Sequence, residues 1–208
     1  MLIFDMDGVL TDSNGVWRDV DEAFLAKRGM AYTREYYEGV AHTVFPLAAV
    51  FTKEYCRLEE STQEIMDEWM EMAGDVYASR VPLKPHVRDY LEHCRRAGER
   101  MIVLTSAVPE HCRAALTRWG LLPYFERVFF AQELGLDKRE STVYKKVAAL
   151  MGVAPGACTV FDDSLAACRS AKAAGMQVVG VYDPFFDATE KDMRAVCDRF
   201  ITDFSQLL

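Results

Sequence analysis

From about residue 84 onward, short runs of β-branched and aromatic residues alternate with longer stretches of helical periodicity, and this alternation constrains the fold more than any other feature. The runs at residues 101–104, 127–130, 159–161 and 177–181 each give way to polar residues, with a weaker run at 200–201. Strands buried on both faces of a parallel sheet read in this way. Between them, residues 87–97, 109–119, 141–151 and 165–174 carry helical patterns, each followed by a glycine suited to a helix C-terminus. One further run, residues 2–4, stands apart at the start. Alternating strand and helix implies right-handed crossovers, hence an α/β fold with a doubly wound parallel sheet.

Residues 14–82 interrupt this pattern. They contain no comparable strand but several amphipathic stretches, such as 16–27 and 61–78, and are expected to form a small all-helical insertion. Pro82 and Pro85 in VPLKPHV mark the return, because proline breaks helices and stiffens connections. The expected division is therefore a core from residues 1–13 and 83–208 and an insertion from 14–82, which a chain of 208 residues accommodates.

Charge and composition narrow the function. With 32 acidic against 24 basic residues, the net charge of -8 repels polyanions, so neither nucleic acid nor an anionic membrane is an expected partner. No apolar run approaches the roughly 18 residues of a membrane span, and MLIFDMDG lacks the basic and apolar regions of a signal peptide; a cytoplasmic location is expected. The six cysteines form no CxxC or CxxH, which argues against zinc and dithiol redox chemistry and for reduced, mostly buried thiols. The four histidines form no HxxxH. No heptad seam is evident, so a monomer is the default.

Ligands of open α/β sheets bind outside the carboxyl ends of the strands. The residues just after the apolar runs form a coherent set there: Asp5, Asp7 and Gly8 after the first, Thr105 and Ser106 after the second, Asp162, Asp163 and Ser164 after the fourth. Four clustered carboxylates repel by about 4 kcal/mol per pair at about 4 Å even at an effective dielectric of about 20. A positive charge must therefore sit among them. Oxygen ligands without His or Cys favour Mg2+, with Asp5, Asp7, Asp162 and Asp163 as candidate ligands. The same cluster supplies a reaction. Asp5 is placed to accept a phosphoryl group, and Asp7 to protonate the leaving oxygen and then activate water. Thr105, Lys138 and backbone N–H groups near Ser106 are the candidate phosphate binders. Gly8 permits a tight turn near the phosphate. Asp12 and Ser13 are weaker candidates, suited to local hydrogen bonds, and Ser164, Thr105 and Ser106 also suit helix capping.

DMDGVLTDS resembles the DxDGxxxDS signature of the haloacid dehalogenase superfamily of phosphatases and mutases. LTS at 104–106 resembles that family's second motif, Lys138 its third-motif lysine, and VFDDS at 160–164 followed by SAKAAGM its fourth. The resemblance spans the chain and implies a Rossmann-like core with residues 14–82 as a helical cap. Two departures stand out. Where relatives read KPxPxxF this chain reads KRESTVY, with Tyr144 in the aromatic position and Lys145 and Lys146 competing with Lys138. Where sugar-phosphate mutases carry a cap His and Arg, this chain has Trp17 and the His42 of GVAHT. The expected activity is Mg2+-dependent hydrolysis of a small phosphorylated metabolite through an aspartyl-phosphate. The alternatives are a β-phosphoglucomutase-type mutase and a catalytically idle module on the same fold. Dehalogenation is disfavoured, because halide displacement needs no Asp7. Arg18, Arg34 and Lys53 are further substrate candidates within the insertion.

Overall fold

A computed structural model describes residues 1–40 and 45–208 and divides the chain into two compact units, 1–14 with 81–208 and 15–80. The first unit holds six strands: β1 (Leu2–Phe4), β2 (Met101–Thr105), β3 (Arg127–Phe130), β4 (Thr159–Asp162), β5 (Gln177–Val181) and β6 (Arg199–Ile201). All neighbouring pairs are parallel, in the order β3-β2-β1-β4-β5-β6. The isolated first run of the sequence is thus a central strand. The chain crosses to opposite sides of β1 in forming β2 and β4, and this reversal opens a crevice at the carboxyl end of β1.

Alternation along the strands divides the core between two faces of the sheet. Ile3, Ile102, Leu104, Phe129, Val160 and Val178 pack in one cluster with Val143, Tyr144 and Val147, and with Cys168, Ala171 and Met193. Phe4 takes part in aromatic packing elsewhere, stacked on Phe161 at 4.5 Å with Tyr90 and Phe204 adjoining. Each fully buried side chain of this size contributes about 1.5–3 kcal/mol.

Among the described residues of the second unit there are four helices: α1 (Val16–Lys27), α2 (Arg34–Val40), α3 (Phe45–Cys56) and α4 (Thr62–Ser79). The helix α4 begins with a capping box between Ser61 and Glu64 and buries Ile65, Trp69, Ala73 and Tyr77 along one face. Trp69 meets Phe24 of α1 at 5.6 Å and Phe45 of α3 at 5.5 Å. A second aromatic group joins Tyr32, Tyr36, Phe51 and Tyr55. Gly39 makes it possible, because a Cβ there would overlap the Phe51 ring.

The remaining helices belong to the sheet unit: α5 (Val87–Arg96), α6 (Pro109–Arg118), α7 (Ser141–Leu150), α8 (Leu165–Ala173) and α9 (Glu190–Val196). In α5 the buried residues Val87, Tyr90, Leu91 and Cys94 fall at the helical spacing that makes a core stripe. No helix among the described residues is long and apolar enough to cross a membrane.

Candidate active site

The register of the central strands assembles the site. Phe4 lies opposite Phe161, and the Asp5 N–H donates to the Phe161 carbonyl at 2.9 Å. Asp5 therefore leaves β1 beside Asp162, the last residue of β4. Asp162 is fully buried and Asp163 nearly so, at 3% exposure. Asp162 Oδ1 accepts the Ser164 N–H at 3.0 Å, so Asp162, rather than the Ser164 hydroxyl, supports the start of α8.

Lys138 lies between β3 and α7 and reaches into this cluster. Its Nζ is 2.7 Å from Asp5 Oδ2 and 2.7 Å from Asp162 Oδ2, with the side chain buried. The competing Lys145 and Lys146 are exposed on α7, Lys146 bonding the Leu134 carbonyl at 3.1 Å. In place of the prolines of the related motif, Asp137 Oδ1 accepts the Arg139 N–H at 2.8 Å and holds the turn at Lys138.

Protonation follows the same geometry. Burial acts to lower the Lys138 pKa, but the Asp162 and Asp5 carboxylates overcome it and hold the ammonium charged. Burial pushes the Asp162 carboxyl up, with Lys138 pulling against it. Asp163 is pushed well above the usual carboxylate range by burial and then by the charges of Asp162 and Asp5; a hydrogen bond from Asn14 opposes the shift.

Oxygens of Asp5, Asp162 and Asp163 lie within 4.8 Å of one another. With all three carboxylates ionised, the one ammonium leaves two negative charges, which a divalent cation would balance, opposing the upward shifts of Asp162 and Asp163. Asp5 Oδ1 is buried without a hydrogen-bond partner, a costly state for a carboxylate oxygen unless a cation or an electrophile meets it. The donor set is all oxygen and suits Mg2+. The Asp7 side chain is not in this group; Ser13 Oγ donates to its Oδ1 and shares a 2.8 Å hydrogen bond with Thr11 Oγ1.

A family model for haloacid dehalogenase-like hydrolases matches residues 1–175. The chain belongs to this family. Hexitol phosphatase B of Escherichia coli K12 is 29% identical over 185 residues, covering 88% of this chain and 83% of that protein. The phosphorylated carbohydrates phosphatase of Thermotoga maritima is 24% identical over 176 residues, covering 85% and 82%. CbbY from Rhodobacter sphaeroides, solved in complex with phosphate, has the same fold, with a TM-score of 0.78 at 21% identity over 99% of this chain and 95% of that one.

The other expected residues of this haloacid dehalogenase-like hydrolase lie at the end of β2, which pairs directly with β1, and in the helical unit. Thr105 ends β2, is buried, and accepts the Ala107 N–H at 2.9 Å through Oγ1; Ser106 beside it is exposed. Neither caps α6, whose N-cap is Val108. Arg18 and Arg34 pair with Glu22 and Glu38 on their own helices, and Lys53 bonds the carbonyls of Glu59 and Glu60. Trp17 packs against Phe45 at 5.4 Å, while His42 lies outside the described residues. Sequence reasoning missed Asn14, whose Nδ2 donates to Asp163 Oδ2 at 2.6 Å. Its position directly after DMDGVLTDS was the available signal.

Proposed function

We propose that this haloacid dehalogenase-like hydrolase is a Mg2+-dependent phosphatase of a small phosphorylated metabolite, of the phosphorylated-carbohydrate class for which two of its relatives, the hexitol phosphatase and the Thermotoga maritima phosphatase, are named. The observation that carries the reading is Asp5, with Oδ2 fixed by Lys138 at 2.7 Å and Oδ1 buried and uncommitted. An oriented carboxylate of this kind suits attack on phosphorus.

Asp5 forms the bond to phosphorus as the ester oxygen leaves with its electron pair, and Asp7 gives that oxygen a proton. The Asp7 carboxylate then takes a proton from water as the water oxygen attacks the aspartyl-phosphate, which returns Asp5 and releases phosphate. The sum is one phosphomonoester and one water giving one alcohol and one phosphate. Lys138 holds Asp5 Oδ2 in place through their 2.7 Å ion pair, while Thr105 and N–H groups near Ser106 receive phosphoryl oxygens. Asp5, Asp162 and Asp163 would hold the cation. When bound, Mg2+ supplies charge neutralisation for the phosphoryl group.

The test is phosphate release from sugar phosphates, phosphoglycolate, nucleotides and pyrophosphate, with Mg2+ or with excess EDTA. Hydrolysis is expected for at least one sugar phosphate, lost with EDTA and lost in Asp5→Asn, with the circular dichroism spectrum retained. Turnover surviving in Asp5→Asn, or in EDTA, would contradict the reading.

A further inference from the structure

Asn14 is the last residue of the sheet unit before the helical one. The chain reaches it through a tight turn in which the Gly8 N–H donates to the Thr11 carbonyl at 2.8 Å and the Thr11 N–H to the Met6 carbonyl at 3.0 Å. This turn brings three groups into close contact. A Cβ on Gly8 would overlap both Asp163 Oδ2 and Asn14 Nδ2, so Gly8 leaves the space in which the Asn14–Asp163 hydrogen bond forms.

Asp163 needs that bond. It is buried at 3% exposure, and Asp162 and Asp5 face it with like charge, whereas Lys138 is paired directly to those two neighbours. The amide of Asn14 adds a neutral donor, which supports a carboxylate without competing for its second oxygen. It also restricts rotation of the carboxylate about its own axis. We infer that Asn14 is a positioning residue for the cation, fixing Asp163 so that its remaining oxygen is presented together with those of Asp5 and Asp162. This rests on the reading of Asp163 as a metal ligand.

Partners of metal ligands typically contribute about 10–100-fold to metal affinity. The test is Mn2+ binding to metal-stripped full-length protein, followed by electron paramagnetic resonance of the free ion. Wild type, Asn14→Leu, Asn14→Ser and Asp163→Asn are compared, with Asn14→Ser standing in if the bulkier variant does not fold. The expected result is a dissociation constant raised about tenfold or more in both Asn14 variants. In turnover assays the half-saturating Mg2+ rises by a similar factor, while kcat at saturating Mg2+ falls much less. Wild-type binding that is lost in Asp163→Asn but unchanged or tightened in both Asn14 variants would overturn the role of Asn14 and leave the metal site standing. Wild type that fails to bind Mn2+, or Asp163→Asn that binds as well as wild type, would overturn the metal reading and this inference with it.

Discussion

Gly8 is required twice, by its backbone and by its neighbours. Its φ of +73° lies in the left-handed region, and the space where a side chain would begin is filled by Asp163 and Asn14. Gly175 provides a comparison, with φ +86° and no atom within 4 Å of the point where a Cβ would stand. Gly175→Ala is expected to cost about 1–2 kcal/mol from backbone strain alone. Gly8→Ala is expected to cost at least about 1–3 kcal/mol more, because overpacking adds to the strain, and denaturant unfolding of the two variants measures the difference. Equal losses would mean that Asp163 moves aside freely. DMDG suggested a turn near phosphate, but not that the glycine makes room for a carboxylate from a strand end more than 150 residues away. The same limit hid Asn14, whose partner is distant in sequence. Lys138 was the preferred lysine on its motif match and its separation from the acidic pair, with Lys145 and Lys146 as competitors; its burial and its ion pairs with Asp5 and Asp162 were not legible.

Among the elements, α1 and α4 were legible because their apolar residues recur at helical spacing, whereas α2 and α3 were not. The helix α2 spans seven residues with two adjacent tyrosines, and α3 is apolar on several sides, so neither presents a single periodic stripe. What holds them includes a polar contact inside an aromatic group. The buried Tyr36 hydroxyl bonds Thr52 Oγ1 at 3.0 Å and Asp21 Oδ1 at 3.3 Å. Burial pushes the Asp21 carboxyl up from 3.8 to about 6, against the hydrogen bond from Tyr36. Between those two values the folded chain holds a proton that the unfolded chain has lost, so stability falls as pH rises through the window and levels off above about 6. Asp21→Asn removes this dependence. It is expected to raise the unfolding midpoint at pH 7 by about 2–4 °C, the equivalent of about 1 kcal/mol, and to change it little at pH 4. A variant that gains equally at both pH values would show that the carboxyl is not the source.

Across the whole molecule, residues 5, 138 and 162–163 meet because β1 lies between β2 and β4. Strand composition made the parallel sheet legible, and the rule that sites gather at carboxyl ends made most of the acidic cluster legible with it. The pairing of β1 with β2 and β4 was not written in its own three residues. Topology also separates the roles of the first two acids. Asp5 continues β1 into the cluster, whereas Asp7 lies beyond it and is bonded by Ser13. In the proposed reaction the phosphoryl group therefore passes through Asp5. The most direct measurement of this transfer is single-turnover reaction with a hydrolysed sugar phosphate, acid quench, borohydride reduction and peptide mass spectrometry. Residue 5 is expected to be recovered as homoserine, dependent on both substrate and Mg2+. Substrate turnover with Asp5 unmodified, and a reduced acyl phosphate found at another residue, would contradict it.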